Sequence, residues 1–437
     1  MRFFSIATRL ILFGLILSIF LAIGKVHATY FGDYDLTSSP RFGWIVTYSI
    51  ICYVVAYSFG LPDQRLWPTR IKASLVSALA SALVIASLQI LVGEITIPRF
   101  VLTLSVPSLF LLFTISSLLI TSLNQTAAQS ERLLLICSDA DKTIIESDLA
   151  FHSEVPCFVA KHLTVETARD TTNFPQTILD HGITLIVLGN DALKDPDIIS
   201  SVTSAHSSGV RIRTQIAFYN DWVGKIPVRE LGEAALLFDV REVHHVGYSR
   251  VSRLLDIGVA SIGFLVLIIA TPIVLIGNFL GNKGPLLYSQ DRVGKGQTAF
   301  RILKFRSMSP GGLVSEWTKA DDSRITRFGK FLRLSHLDEL PQVINILRGD
   351  LSIVGPRPEQ LHYVDQLSST IPYYQSRHLV RPGLTGWAQV NYPYGADEID
   401  AFEKLQYEFW YLQHQSMLLD LRIIARTFRH VLGFKGR

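Results

Sequence analysis

The chain has 437 residues, 49% hydrophobic and 18% charged, with a formal net charge of +4 and a mean hydropathy of +0.31. So few charges, against roughly a quarter in soluble domains, exclude a disordered chain and a secreted disulfide scaffold and argue against a wholly soluble enzyme. Residues 244–437 hold 23 Lys+Arg against 16 Asp+Glu, while 1–243 hold 18 against 21; a basic C-terminal part beside apolar segments suits anionic lipid or phosphorylated ligands.

No zinc-finger or RNP-type motif speaks for nucleic acid. Cys52, Cys137 and Cys157 form no CxxC or other metal-ligand spacing, and an odd count argues against a disulfide framework.

Four uncharged stretches occupy the first quarter, at Leu10–Gly24, Phe42–Leu61, Ala73–Gly93 and Phe100–Leu123. The last three reach the ~20 apolar residues of a bilayer-spanning helix. The first is shorter, between Arg9 and Lys25, but no small-residue cleavage site is clear after it, so it reads as a retained helix and not a signal peptide. Arg2 and Arg9 precede the first stretch and Arg65, Arg70 and Lys72 follow the second, whereas only Glu94 and Arg99 separate the third from the fourth. The positive-inside rule then places the N-terminus, the 65–72 loop and everything from Asn124 onward in the cytoplasm, and the loop with Asp33 and Asp35 outside. Residues 1–124 are expected to form a four-helix membrane bundle.

Residues 125–243 change character. Strand-like runs at Arg132–Cys137, Val155–Val159, Ile183–Leu188 and Val210–Ile216 alternate with helical stretches such as Asp141–Phe151 and Asp191–Ser208. That alternation predicts a small parallel α/β, Rossmann-like domain. The turn after the first strand, Ser138-Asp139-Ala140-Asp141, lacks the glycines that admit a pyrophosphate, and two acids there would repel one. A regulatory or dimerising role is favoured over nucleotide binding, and a homodimer is one expectation.

A fifth apolar run, Ile257–Gly281, is uncharged and contains Thr271-Pro272. Arg250 and Arg253 precede it; Lys283, Arg292 and Lys295 follow it. With both flanks basic, a re-entrant membrane helix broken at the proline fits better than a span, with a proline-kinked span as the alternative. Residues 244–437 then form an α/β catalytic domain on the cytoplasmic face.

Gly284–Met308 contains two strand-like runs around a glycine-rich turn with Lys295, ending in Lys304-Phe305-Arg306. The cations suit a phosphate, and a charged surface hairpin is the other reading. In Arg324–Gly355, Leu340, Val343, Ile344 and Leu347 fall at helical spacing. Pro341 must lie in the first turn, so the helix is expected to begin near Leu337–Asp338. Asp338 and Glu339 would then stand at its N-terminus, where the dipole favours carboxylates and free N–H groups can meet a phosphate. Arg324, Arg327, Lys330 and Arg333 precede the pair, and Arg348 and Arg357 follow it. An acid pair among so many cations suggests an ionised nucleophile facing a pyrophosphate.

Gly284–Met308, Leu337–Gln342 (LDELPQ), Gly349–Pro358 (GDLSIVGPRP) and Arg381–Asn391 (RPGLTGWAQVN) together resemble the bacterial sugar transferases, the polyprenyl-phosphate hexose-1-phosphate transferases or monotopic phosphoglycosyl transferases. The resemblance covers about residues 245–435, and the N-terminal part is similar to the family's longer members. It implies transfer of a sugar 1-phosphate, with glucose the first expectation and galactose the second, from a UDP-sugar to undecaprenyl phosphate at the bacterial inner membrane. It also implies release of UMP, Mg²⁺ as cofactor, a phosphosugar intermediate on Asp338, and the start of exopolysaccharide or capsule assembly. A break of the re-entrant helix falls at Thr271-Pro272, where the family has Ser-Pro. The middle domain resembles a CoA-binding-like domain without its glycine-rich loop.

Arginine forks and a magnesium ion stabilise the charge that develops when a pyrophosphate is attacked. Lys304, Arg306, Arg333 and Arg357 are the expected phosphate contacts, with Glu339 a magnesium ligand, beside Asp338, or an acid/base neighbour. Arg381, Trp387 and Gln389 are expected at the nucleotide or sugar, or in packing. Glu398–Arg429 reads as helical, with Arg422, Arg426 and Arg429 on one face as in an interfacial helix, and Asp420 as structural. The rival functions are an inactive membrane scaffold and a multi-span glycosyltransferase releasing UDP.

Overall fold

The structure is a computed structural model and describes residues 2–32, 34, 38–61, 67–93, 96–127, 131–152, 155–169, 174–207, 209–230, 246–282, 284–309, 324–392 and 397–431. The chain divides into two compact units, residues 1–128 with 424–437, and 129–423.

In the first unit the four apolar stretches form α1 (Arg2–Tyr30), α2 (Ser39–Ser58), α3 (Trp67–Val92) and α4 (Arg99–Ala127). Their shared core includes Ile16, Phe20, Tyr48, Ala78, Ile85 and Phe113. Ser74, Ser77 and Ser81 are wholly buried along α3, small enough to let neighbouring helices approach closely. Large apolar side chains point outward instead, as with Leu15, Leu83, Leu111 and Ile115, which are exposed.

Among the described residues, four helices are long and apolar enough to cross a membrane: Leu10–Tyr30, Arg70–Ile90, Arg99–Ile120 and, in the second unit, Tyr248–Gly281. The first is longer than its uncharged stretch, since α1 runs on through Lys25 to Tyr30. The second expected span, in α2, forms a helix but is not among these four. Its sequence is interrupted by hydroxyls, and these are satisfied internally: Thr47 and Ser49 donate to the carbonyls of Gly43 and Ile45, and Tyr48 pairs with Thr96. Arg65, Glu94, Lys283, Asp33 and Asp35, on which the orientation of the spans rests, lie outside the described residues, as does the expected domain boundary at 243/244.

The second unit opens with a four-stranded parallel sheet, β1 (Glu131–Ile136), β2 (Cys157–Leu163), β3 (Leu185–Leu188) and β4 (Arg211–Thr214), in the order β2-β1-β3-β4. Leu133–Ile136 are fully buried because both faces of the central strand are covered. Ser138 caps helix α5 (Asp139–Phe151) by accepting the Asp141 N–H, so the first-turn acids occupy the helix start where a phosphate would bind.

This sheet and the chain that follows it, as far as Ile423, belong to one compact unit. Lys225, 1% exposed, donates to Asp148 of α5 (2.8 Å) and to Glu403 of helix Glu398–His414 (2.9 Å). Trp387 Nε1 donates to the Gly224 carbonyl and its ring stacks on Trp410, contacts that serve packing.

The long helix, Val246–Gly281, is continuous through Thr271 and Pro272. The expected break there is not present as an interruption of the helix; Thr271 Oγ1 donates to the Leu267 carbonyl (2.7 Å) beside the proline. Asp256, Ala260, Leu267, Val274, Asn278 and Asn282 are buried, a stripe at spacings of four and seven along its length, while Leu254, Ile262, Leu265, Ile269, Ile273, Ile276 and Phe279 are exposed. Gly263 lies where a Cβ would come within 2.8 Å of Val343, and a Cβ on Gly277 would overlap the Phe328 ring. The C-terminal segment is two helices, Glu398–His414 and Met417–Val431, not one. Asp420 is structural, accepting from Tyr248 (2.7 Å) and Tyr411 (3.0 Å). Arg422 lies over Trp387, and the side chain of Arg429 is outside the described residues.

Candidate active site

Gly284–Met308 folds into an antiparallel hairpin, β5 (Leu287–Val293) and β6 (Ala299–Phe305). The free edge of β6 is held by one side chain. Asn345, wholly buried in helix Gln342–Arg348, accepts the Leu303 N–H (3.0 Å) and donates to the Arg301 carbonyl (2.7 Å). An amide thus completes the ladder that a further strand would otherwise fill, and it brings Lys304 over the start of that helix.

The acid pair does not open the helix itself. Leu337–Glu339 is a 3₁₀ turn, and the helix follows after Pro341. His336 enters the turn in the left-handed conformation, φ 54°. The helix ends at Gly349 (φ 95°), and its last carbonyls, Ile346 and Leu347, accept from Arg253 of the long helix at 2.6 and 2.9 Å. Asp256, one turn on, accepts from Ile353 N–H (2.8 Å) and Ser352 Oγ (3.0 Å) of β7 (Ser352–Val354), which pairs in parallel with β8 (Gly383–Thr385). The short helix that follows the acid pair is therefore fixed to the long helix by hydrogen bonds and by the close approach of Val343 to Gly263.

Glu339 Oε1 accepts from Lys304 Nζ (2.6 Å) and pairs with Arg357 (3.4 Å). Burial acts to raise its carboxyl, but Arg357 and Lys304 more than offset this and hold it at about 2. Asp338 makes no hydrogen bond to a described residue, and it is half-buried. Burial and then the neighbouring Glu339 raise its carboxyl above the ordinary range, against the pull of Lys304 and Arg333. Burial lowers Lys304, with Glu339 opposing. Two adjacent carboxylates are thus driven apart: one fixed as an anion in a cation clamp, the other unclamped.

Of the expected contacts, Asp338, Glu339, Lys304 and Arg357 are brought together, and Arg333 stands within electrostatic reach of Asp338. Arg306 is not available to a substrate. It is 8% exposed, and its guanidinium donates to the carbonyls of Asn282, Pro285 (2.8 Å) and Met308 (3.2 Å), clamping the exit of the long helix. Arg381 lies at the approach to β8, within electrostatic reach of Asp256. Gln389 donates weakly to Leu384 O (3.4 Å). Neither touches the acid pair. Sequence reasoning missed Asn345, Arg292 and the buried pair Arg377–Glu408; these partners are 31 residues or more apart, and no periodicity marks them.

Among the described residues no group of three or more His, Cys, Asp or Glu gathers. The donor set present is Asp338 with Glu339. That suits magnesium, which takes one or two carboxylates and fills its remaining positions with water and phosphate oxygens.

A family profile described as bacterial sugar transferase matches residues 247–434. A UDP-N-acetylgalactosamine-undecaprenyl-phosphate N-acetylgalactosaminephosphotransferase of Aeromonas hydrophila is 43% identical over 196 residues, 44% of this chain and 46% of that protein. A UDP-glucose:undecaprenyl-phosphate glucose-1-phosphate transferase of Xanthomonas campestris pv. campestris is 39% identical over 49% of this chain and 44% of that protein. The matched part thus spans less than half the length of these two relatives. A protein of the latter name from Caulobacter vibrioides is 37% identical over 227 residues, 49% of this chain and 83% of that protein.

Proposed function

The chain belongs to the bacterial sugar transferase family, and from that premise we propose that it moves a hexose 1-phosphate from a UDP-sugar to undecaprenyl phosphate. A carboxylate oxygen of Asp338 attacks the phosphorus that carries the sugar; the bond to the UMP oxygen breaks and UMP leaves with its electron pair. An oxygen of the lipid phosphate then attacks the same phosphorus and releases Asp338. Asp338 and Glu339 would hold a magnesium ion, which would supply charge neutralisation at the phosphate oxygens. Arg357 and Lys304 orient the same oxygens and, being fixed before the reaction, lose little in reorganising as charge develops.

The observation that carries this reading is the unequal treatment of the two acids: Glu339 is engaged by Lys304 and Arg357, and Asp338 is hydrogen-bonded by neither. A nucleophile must keep its lone pairs uncommitted, whereas a charge-setting neighbour need not. The test is mass analysis of the protein with UDP-sugar and no lipid acceptor. The peptide containing Asp338 should gain one hexose phosphate as UMP appears. An adduct on another residue, or UDP as product, would overturn the assignment.

Relatives named for N-acetylgalactosamine and for glucose both match well. Glucose 1-phosphate stays the first expectation, and UDP-glucose, UDP-galactose and UDP-N-acetylgalactosamine form the panel that decides it.

We place the catalytic part on the cytoplasmic face of the bacterial inner membrane, with the long helix entering and leaving the bilayer on that one face. In support, Arg253 near one end of that helix and Asn278 and Asn282 near the other all bond the same compact unit. In a cysteine-free background, His245→Cys and Ser289→Cys should both be labelled only from the cytoplasm. Labelling of position 289 from outside alone would make the helix a span.

A further inference from the structure

Arg357 sits in the segment Gly355-Pro356-Arg357-Pro358-Glu359. Two prolines remove two N–H groups, so this segment is held chiefly through its carbonyls. Four in succession accept from four different places. Pro356 O accepts from Gly383 N–H (2.8 Å), Arg357 O from Arg377 (2.9 Å), Pro358 O from Arg292 (3.2 Å), and Glu359 O from Val293 N–H (3.0 Å). Of these four donors, Arg377 is the one that grips the residue whose guanidinium reaches Glu339.

Arg377 is itself over-determined. It is 4% exposed, donates to both oxygens of the equally buried Glu408 (2.8 and 2.6 Å), and donates to Tyr374 OH (3.0 Å). A guanidinium committed to a buried carboxylate in a bidentate fork has one orientation open to it. The Nη2 that bonds Glu408 also donates to the Arg357 carbonyl. A buried ion pair adds little net stability over a well-packed apolar pair, so its presence calls for another account.

We propose that Arg377 is a positioning residue for the transfer reaction: fixed by Glu408, it sets the main chain of Arg357 and so where that guanidinium meets the substrate phosphates. Displacement of such a group by about 1 Å costs up to ~10²-fold in rate. The inference rests on the reading of Arg357 as a phosphate contact, and a double-mutant cycle keeps the two apart.

The variants are Arg377→Lys, Arg357→Ala and the double, in the full chain in detergent. UMP release is followed with undecaprenyl phosphate and the best of the three UDP-sugars. Arg357→Ala alone should lower kcat/KM by ~10² or more. Arg377→Lys, which keeps the charge but not the fork, should lower it by about tenfold. In the Arg357→Ala background, Arg377→Lys should change it less than about twofold, because its effect passes through the group already removed. Additive losses, or no measurable change from Arg377→Lys alone, would overturn the inference. An inert Arg357→Ala would instead overturn the reading of the site. Should Arg377→Lys fail to fold, Glu408→Gln loosens the same fork and must show the same non-additivity.

Discussion

Asp338 and Glu339 share one chemistry and adjoin in sequence, yet their surroundings drive their ionisation in opposite directions. A carboxyl raised above its unfolded value penalises the folded state at neutral pH, and the stability it offers is lost as pH rises through the folded value. Asp338→Asn removes that penalty. We expect it to abolish UMP release, by roughly 10³-fold or more, while the melting temperature stays level or rises. Glu339→Gln has the opposite sign: a depressed carboxyl stabilises above its unfolded value, near ~4.3, and that contribution is lost as pH falls towards about 2. Glu339→Gln should therefore lower the melting temperature at neutral pH. A rise there, or a fall for Asp338→Asn, seen by thermal denaturation, would contradict the pairing.

At the scale of elements, the long helix and the acid-bearing turn share a seam in which glycines take the place of side chains. Gly277 faces the Phe328 ring, whereas Gly258 on the same helix faces open space. Gly277→Leu must move Phe328 and should cost about 1–3 kcal/mol. Gly258→Leu should be neutral or mildly stabilising through helix propensity. Equal melting temperatures for the two variants would mean the seam is not tight. This seam was only half legible in sequence. The stripe Leu340, Val343, Ile344, Leu347 identified a helix, but the more deeply buried positions are Asn345 and Ile346, because Asn345 serves a strand edge, a demand that hydropathy does not encode. Pattern also located the hairpin of β5 and β6 and the strands of the small sheet to within a few residues, since both rest on local periodicity. Arg306 was misplaced for the same reason: a cation beside a turn reads alike whether it faces solvent or three carbonyls.

Across the second unit, acid sensitivity should concentrate at one buried imidazole. His378 is 6% exposed between Tyr374 and Arg377, and burial followed by the Arg377 charge lowers it to about 3. A histidine kept neutral in the fold stabilises above its unfolded value, ~6.5, and that stability is lost as pH falls from there towards the folded value. The melting temperature should drop over this window, and His378→Leu should flatten the drop. An unchanged slope in the variant would place the sensitivity elsewhere. The position was unremarkable in sequence, because what defines it is the ion pair beside it, assembled from helix Glu398–His414 and the turn Tyr374–Leu379.

The seam between the acid-bearing turn and the long helix carries one more consequence. Val343 lies five residues after Asp338 and packs on Gly263, within the stretch apolar enough for a bilayer. With that helix in a bilayer, as proposed, the carboxylate would be held at a set height above the lipid plane, like a stylus on an arm. In the proposed reaction its two reactants would reach it through spaces of different dimension: the nucleotide by diffusion in volume, the lipid phosphate by drift in a surface. For the second half of the cycle, concentration then means molecules per unit area. Diluting the whole mixture leaves that quantity unchanged, and adding inert lipid lowers it.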